Sequence, residues 1–157
     1  MKLSDIINQI AVKSVSGALE TEIAGVCYDS RRVEPGTLFC ALAGEKVDGN
    51  DFVDTAARSG ASAILSETPA PAECAVPWVQ VADARGAMAR AAANLHGNPS
   101  REFPVVGVTG TNGKTTTGFL LHHLMASSWH RAGLIGTVHY QIGDEIRKAP
   151  RTTPESA

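Results

Sequence analysis

No stretch of this chain approaches the ~20 consecutive apolar residues that a membrane-spanning helix needs. The first ten residues, MKLSDIINQI, have neither the long apolar core nor the small-residue cleavage site of a secretion signal. Membrane insertion is therefore not expected, and a cytoplasmic location is. Basic excess is missing too: 14 Lys and Arg against 16 Asp and Glu leave a net charge of -2. That balance argues against a broad phosphate-tracking surface of the kind that binds nucleic acid, so any phosphate site must be local. Cysteine is scarce. Cys27, Cys40 and Cys74 lie too far apart for paired zinc ligands and read as small side chains in a reducing compartment. Internal repeats and low-complexity tracts are absent. What is present, 157 residues of which 43% are apolar and 19% charged, is the composition of a soluble globular protein with room for one domain or two small ones.

Hydrophobic periodicity points to alternating helices and strands. Ser4 is placed to cap a short helix over LSDIINQI, with Ile6, Ile7 and Ile10 on one face. EIAGVCYDS reads as a strand ending in a polar turn, and EPGTLFCAL as a Pro-Gly turn feeding a second strand. In DGNDFVDTAARSGASAILSE a helix carries Phe52, Val53, Ala56 and Ala57 as its apolar stripe, Gly60 stops it, and ASAILS follows as a buried strand. WVQV is a further strand. DARGAMARAAANLHGNPS predicts a helix capped by Asp83, with Met88, Ala91, Ala92 and Leu95 on one face and Gly97 and Pro99 at its end.

GNPSREFP has linker character and sets a boundary between two domains, 1–98 and 99–157. Beyond it FPVVGVTG reads as a central parallel strand, and KTTTGFLLHHLMASS as a helix with Phe119, Leu120, Leu121 and Leu124 on its apolar face. AGLIGTVHY reads as the next strand and QIGDEIRKAPRTTPESA as a hairpin or loop. The expected class is α/β: a small N-terminal α/β domain followed by the start of a P-loop-type α/β domain, incomplete within this chain.

The stretch VVGVTGTNGKTTT carries the clearest chemistry. A glycine-rich loop between a buried strand and a helix N-terminus aims backbone N–H groups at one spot where the helix dipole also favours negative charge. Lys114 supplies a cation for terminal phosphates and Thr115 a hydroxyl for Mg²⁺. Counting back from Gly113 puts Val108, not Gly, at the first position of G-x-x-x-x-G-K-[ST], so the loop is a variant. The plain alternative is a glycine turn with Lys114 solvated.

The variant GVTGTNGKTTT resembles the ATP loop of the Mur ligases and the related folylpolyglutamate synthetases, ATP-dependent enzymes that join an amino acid to a carboxylate. That resemblance implies that Gly110, Thr111, Asn112, Gly113, Lys114, Thr115 and Thr116 wrap the triphosphate of ATP, with Lys114 as the catalytic cation and Thr115 as a ligand of Mg²⁺. YDSRRVEPGTLFCALAGEKVDGNDF is similar to the D-S-R, P-G-x-L-F and D-G-x-x-F pattern of the Mur ligases' UDP-binding domain. It implies that Ser30 touches the uridine diphosphate sugar and that Glu45, Lys46 and Val47 lie along the nucleotide.

AGLIGTVHY followed by RTTPES resembles the branch that adds the third residue to UDP-N-acetylmuramoyl-L-alanyl-D-glutamate. Thr152 and Thr153 occupy the positions of that branch's paired substrate-contacting threonines, although Arg151 stands where Asn is usual. The implied activity is ATP-dependent ligation of a diamino acid, meso-diaminopimelate or L-lysine, through an acyl phosphate. A monomer is expected. The resemblance covers about the first third of a typical member, so the amino-acid-selecting domain and further magnesium ligands are expected beyond Ala157, and this chain alone is not expected to ligate.

Other readings stay open on the residues themselves. Asp29 and Ser30 are good formers of a purely structural Asx turn, Arg31 and Arg32 face either diphosphate or water, and TTP can be a capped turn. The branch that adds the terminal dipeptide shares the front pattern, and a stand-alone P-loop nucleotide-binding module would need only the loop. His122 and His123 point to different faces of a helix, and His96 and His139 have no ligand partners at useful spacing.

Overall fold

The computed structural model describes residues 1–44, 47–128 and 131–149. The chain divides between Phe103 and Pro104 into two compact units, each described by itself.

In the first unit β3 (Thr37–Ala41) is buried along its whole length, and β4 (Ala61–Ser66) almost so. Strands apolar on both faces need cover on both faces, which a parallel sheet between helices provides. The sheet order is β1 (Val12–Ser16), β5 (Trp78–Val81), β4, β3, β2 (Gly25–Cys27). β2 to β5 run parallel and β1 runs antiparallel to β5. The helix α3 (Ala84–Leu95) packs over β2, β3 and β4 and against α1 (Leu3–Ile6), while α2 (Val53–Arg58) packs against β3 and β4.

Alternation along the strands sorts the core into two layers. Leu38, Cys40, Ala63, Leu65, Val79 and Val81 face α1 and α3 with Met88 and Ala91. Phe39, Ala41, Ile64 and Trp78 face the other side with Val53 and Ala56. Ala61 joins this second layer although Ala63, two residues on, lies in the first. A register shift explains it: Thr37 pairs with Ala61 but Leu38 with Ala63, so Ser62 is an extra residue that flips the pleat.

Asp83 caps α3 as expected, its carboxylate accepting from the Gly86 N–H at 2.9 Å. Gly60 and Gly97 end their helices at φ +107° and +73°, where a side chain would be strained. Ser4 is not a cap. The cap position falls on Lys2, two residues earlier, and the N–H groups of Leu3 and Ser4 are satisfied by the carbonyls of Thr21 and Leu19 at 2.8 and 3.0 Å, so tertiary pairing does the work of a capping side chain. The sequence pattern also gives no warning of β1, an edge strand exposed at every position but Val12.

The second unit contains α4 (Lys114–Ser128) and an antiparallel sheet in the order β6 (Gly133–Ile135), β7 (His139–Ile142), β8 (Glu145–Lys148). AGLIGTVHY is therefore two strands divided by Gly136–Val138, and the expected hairpin is β7–β8. Residues 104–109 form no strand. A buried parallel strand exists only through bonded neighbours, and none pairs with this stretch among the described residues; Val105 and Val106 are exposed.

The apolar face of α4 agrees with expectation at Phe119 and Leu121, both half-buried, and differs from it at Leu120 and Leu124. Gly118, Leu121, His122 and Met125, at i, i+3, i+4 and i+7, are half-buried, while Leu120 and Leu124 are about 60% exposed. α4 packs on β6, with Gly118 beside Leu134, where an added Cβ would make ordinary contact at 3.5 Å from Cδ1.

Candidate functional site

Loops at the carboxyl ends of parallel strands are where open α/β sheets bind ligands. In the first unit β2 and β3 are neighbours, so the loops after Cys27 and Ala41 open side by side. After β2 the Asp29 carboxylate accepts from the Arg31 N–H at 3.1 Å, an Asx turn that starts the 3₁₀ turn Ser30–Arg32. The Arg31 guanidinium returns to the same carboxylate through Nε at 2.9 Å and Nη2 at 2.7 Å. This bidentate grip, with the turn's N–H, holds the Asp29 carboxyl at about 2. Arg31 is thus engaged with Asp29, an i, i+2 pairing that D-x-R shows in the sequence once the turn is recognised. Ser30 is half-buried at the turn's start. Beside it lies a cleft of about 170 Å³ bordered by Tyr28, Asp29, Arg32 and Glu34, smaller than the ~300–1,000 Å³ of enclosed ligand pockets.

After β3, Gly44 donates to the Val47 carbonyl at 3.1 Å, and Ala43 bridges Asp48 across the turn. Val47 is exposed; Glu45 and Lys46 lie outside the described residues. Gly49 N–H donates to the Leu42 carbonyl at 2.9 Å, and a Cβ on Gly49 would meet Leu42 N at 2.6 Å. Asp48 accepts from the Asn50 N–H, and Asn50 Oδ1 accepts from Ser66 Oγ at 2.6 Å and Thr68 Oγ1 at 3.0 Å. The fully buried Ser66 at the end of β4 is satisfied in this way, which fixes the turn's base to the sheet.

In the second unit Gly110 and Gly113 adopt φ +142° and +76°, backbone that favours glycine. The Gly113 carbonyl accepts the first intrahelical bond of α4, from Thr117 N–H at 2.8 Å. Gly113 therefore stands at the cap, and Lys114, Thr115 and Thr116 form the first turn, whose N–H groups have no acceptor within the helix. Residues 109–117, including Thr111 and Asn112, are all exposed. Lys114 Nζ folds back to the Gly110 carbonyl at 2.5 Å, bringing the cation over the loop. Thr115 Oγ1 lies 3.3 Å from Thr137 Oγ1, a neighbour that sequence spacing did not reveal. Several helix-terminal N–H groups, a cation and a hydroxyl thus converge where an anion with a bound divalent cation can be held.

Thr152 and Thr153 lie outside the described residues. The three cysteines are free; Cys40 is buried, and burial pushes its thiol far above the ordinary range. Among the described residues no group of three metal-ligating side chains is found, and no helix is long and apolar enough to cross a membrane. His122 meets the Ala132 carbonyl and His139 packs on Phe119.

Two family models match the chain: the Mur ligase family, catalytic domain, over residues 22–96, and the Mur ligase middle domain over residues 108–157. A UDP-N-acetylmuramoyl-L-alanyl-D-glutamate--2,6-diaminopimelate ligase of Geobacter sulfurreducens is 44% identical over 99% of this chain and 31% of its own length. The solved structure of a ligase of the same description superposes with a TM-score of 0.69 at 27% identity, over 99% of this chain and 31% of that one. The MurF ligase of Thermotoga maritima, solved in complex with ADP, gives 0.53 at 33% identity over 68% of this chain and 24% of its own. The chain spans about a third of the length of the curated relatives it matches.

Proposed function

Because the chain belongs to the Mur ligase family, we propose that it is the substrate-loading portion of an ATP-dependent ligase of peptidoglycan precursor synthesis, one that adds a diamino acid to UDP-N-acetylmuramoyl-L-alanyl-D-glutamate. Residues 1–98 are the UDP-substrate domain and 99–157 the beginning of a P-loop ATP domain. Likeness over 99% of the chain to a diaminopimelate ligase, against 68% for the dipeptide-adding type, favours the diamino-acid branch. The observation that carries the proposal is the loop Gly110–Gly113, with its two positive-φ glycines, feeding Lys114 and Thr115 into the first turn of a 15-residue helix.

Amide formation from a carboxylate is uphill in water, so the D-glutamate side chain must first be activated. Its carboxylate attacks the γ-phosphate of ATP, ADP leaves, and the incoming amine then displaces phosphate from the acyl phosphate. Two anions approach each other in the first step, and electrostatics decide its rate. Lys114 and the N–H groups from Gly110 to Thr116 offset that repulsion. The Thr115 hydroxyl is the ligand this chain offers to Mg²⁺, which supplies further charge neutralisation when bound. Ser30 and the Glu45–Val47 turn hold the uridine diphosphate, and Thr152 and Thr153 the muramoyl dipeptide. The protein works as a monomer in the cytoplasm, where its nucleotide substrates are.

Calorimetric titration of the 157-residue chain with Mg²⁺-ATP, and separately with UDP-N-acetylmuramoyl-L-alanyl-D-glutamate, tests this. Lys114→Ala removes a charge-assisted contact of ~1.5–3 kcal/mol, so ATP affinity falls roughly 10- to 150-fold while the UDP substrate binds as before. Unchanged ATP affinity in Lys114→Ala, or no binding of the UDP substrate, overturns the proposal.

A further inference from the structure

We propose that Thr137 is a positioning residue that orients the Thr115 hydroxyl for its divalent cation. The inference rests on the nucleotide-and-magnesium role assigned to the loop. A hydroxyl has one proton to donate and two lone pairs to offer. Left to rotate, Thr115 can turn its proton toward an approaching cation, which is repulsive. Thr137 Oγ1 lies 3.3 Å away, a contact in which either hydroxyl can donate; a cation on Thr115 makes Thr115 the donor, so its proton has a fixed destination and its lone pairs are presented away from Thr137.

The contact is set by register, since a second pair repeats it. His139 packs edge-on against Phe119, with ring centroids 5.1 Å apart and planes at 68°. Thr115 and Phe119 are i and i+4 on α4, one above the other on the helix surface. Thr137 lies in the bend just before β7, and His139 is the first residue of that strand. The two contacts therefore dock this segment along α4 at its first two turns, and the packing of α4 on β6 holds the segment's other end. Thr137 is exposed, so changing it does not disturb a core.

The test uses Thr137→Val, Thr137→Ala, Thr137→Ser and Lys114→Ala in the 157-residue chain, with ATP affinity measured across a Mg²⁺ titration and in EDTA. Thr137→Val and Thr137→Ala are expected to raise the Mg²⁺ concentration for half-maximal effect by about three- to tenfold, the scale of one hydrogen bond, with affinity in EDTA unchanged. Thr137→Ser, which keeps the acceptor, restores the wild-type midpoint. A wild-type Mg²⁺ profile in Thr137→Val alongside lost ATP binding in Lys114→Ala overturns the role of Thr137 and leaves the loop assignment standing. Equal losses with and without Mg²⁺ also overturn it, since that is the mark of a merely structural contact. Absence of Mg²⁺-ATP binding by the wild type, or unimpaired binding by Lys114→Ala, removes the loop assignment and this inference with it.

Discussion

Replacing Gly49 by alanine puts one methyl group into a space that backbone already fills. The added Cβ would lie 2.6 Å from Leu42 N, 2.7 Å from Leu42 O and 3.0 Å from the Ala41 carbonyl carbon. None of these atoms can swing aside as a side-chain tip would, because they are backbone of Ala41, the last residue of β3, and of Leu42 just after it. Relief requires the turn before Gly49 to lift off the sheet, which weakens the 2.9 Å bond from Gly49 to the Leu42 carbonyl. Overpacking of this kind costs ~1–3 kcal/mol, the weakened bond costs about 1 more, and the stiffer unfolded chain returns about 0.4–1. A net loss of about 1–3 kcal/mol follows, which lowers the melting temperature of a unit of this size by roughly 5–15 °C.

Gly25→Ala is the matched control, since nothing lies within 4 Å of its Cβ position and its φ is not positive; it is expected to be neutral or stabilising by up to about 1 kcal/mol. Urea unfolding followed by Trp78 emission, with Trp129 replaced by Phe, reports the first unit, because Trp78 is buried there at 3% exposure. Gly49→Ala as stable as wild type, or both substitutions shifting the midpoint alike, refutes the steric account.

The Asp29 carboxyl, held at about 2 against an ordinary 3.8, contributes stability that is present above pH 3.8 and fades as pH falls toward 2. Because the Arg31 side chain is 85% exposed, that contribution is at most about 1 kcal/mol; carbon-detected NMR titration should find the midpoint near 2 and see it rise in Arg31→Ala, and an unmoved midpoint would contradict the pairing. Asp83→Ala removes the cap of α3 and should cost ~0.5–2 kcal/mol in the same urea assay, with Asp83→Asn retaining most of it; equal losses in both variants would show that the cap is not what matters.

Legibility of the fold followed burial. β2 to β5, α2 and α3 were visible because their apolar spacing and their Gly60, Asp83 and Gly97 punctuation are local signals that agree with the packing. β1 was invisible because an edge strand with one half-buried residue leaves no pattern. In α4 the length and two residues of the expected face, Phe119 and Leu121, agree with the structure, while Leu120 and Leu124 do not: FLLHHLM is apolar on nearly every side, so periodicity cannot choose, and packing on β6 makes the choice. The loop glycines and Lys114 announced a phosphate cradle by type and order. The Thr115–Thr137 contact did not, because it joins a helix to a bend twenty-two positions away, and nothing local encodes that distance. The Gly49 position belongs to a motif recognised by resemblance, and its physical reason, the backbone of Leu42, is a non-local fact as well.

The strand order of the first unit carries a consequence for synthesis. β2, β3, β4 and β5 stand side by side in the order in which a ribosome releases them, and only β1 waits for a later partner. A nascent chain can thus close both layers of that core once α3 has emerged, with β1 the one strand of this sheet held open for a distant partner. No described residue from 104 to 149 is buried. The N-terminal unit holds every fully buried residue among those described, so it can condense before the segment that follows it has been made.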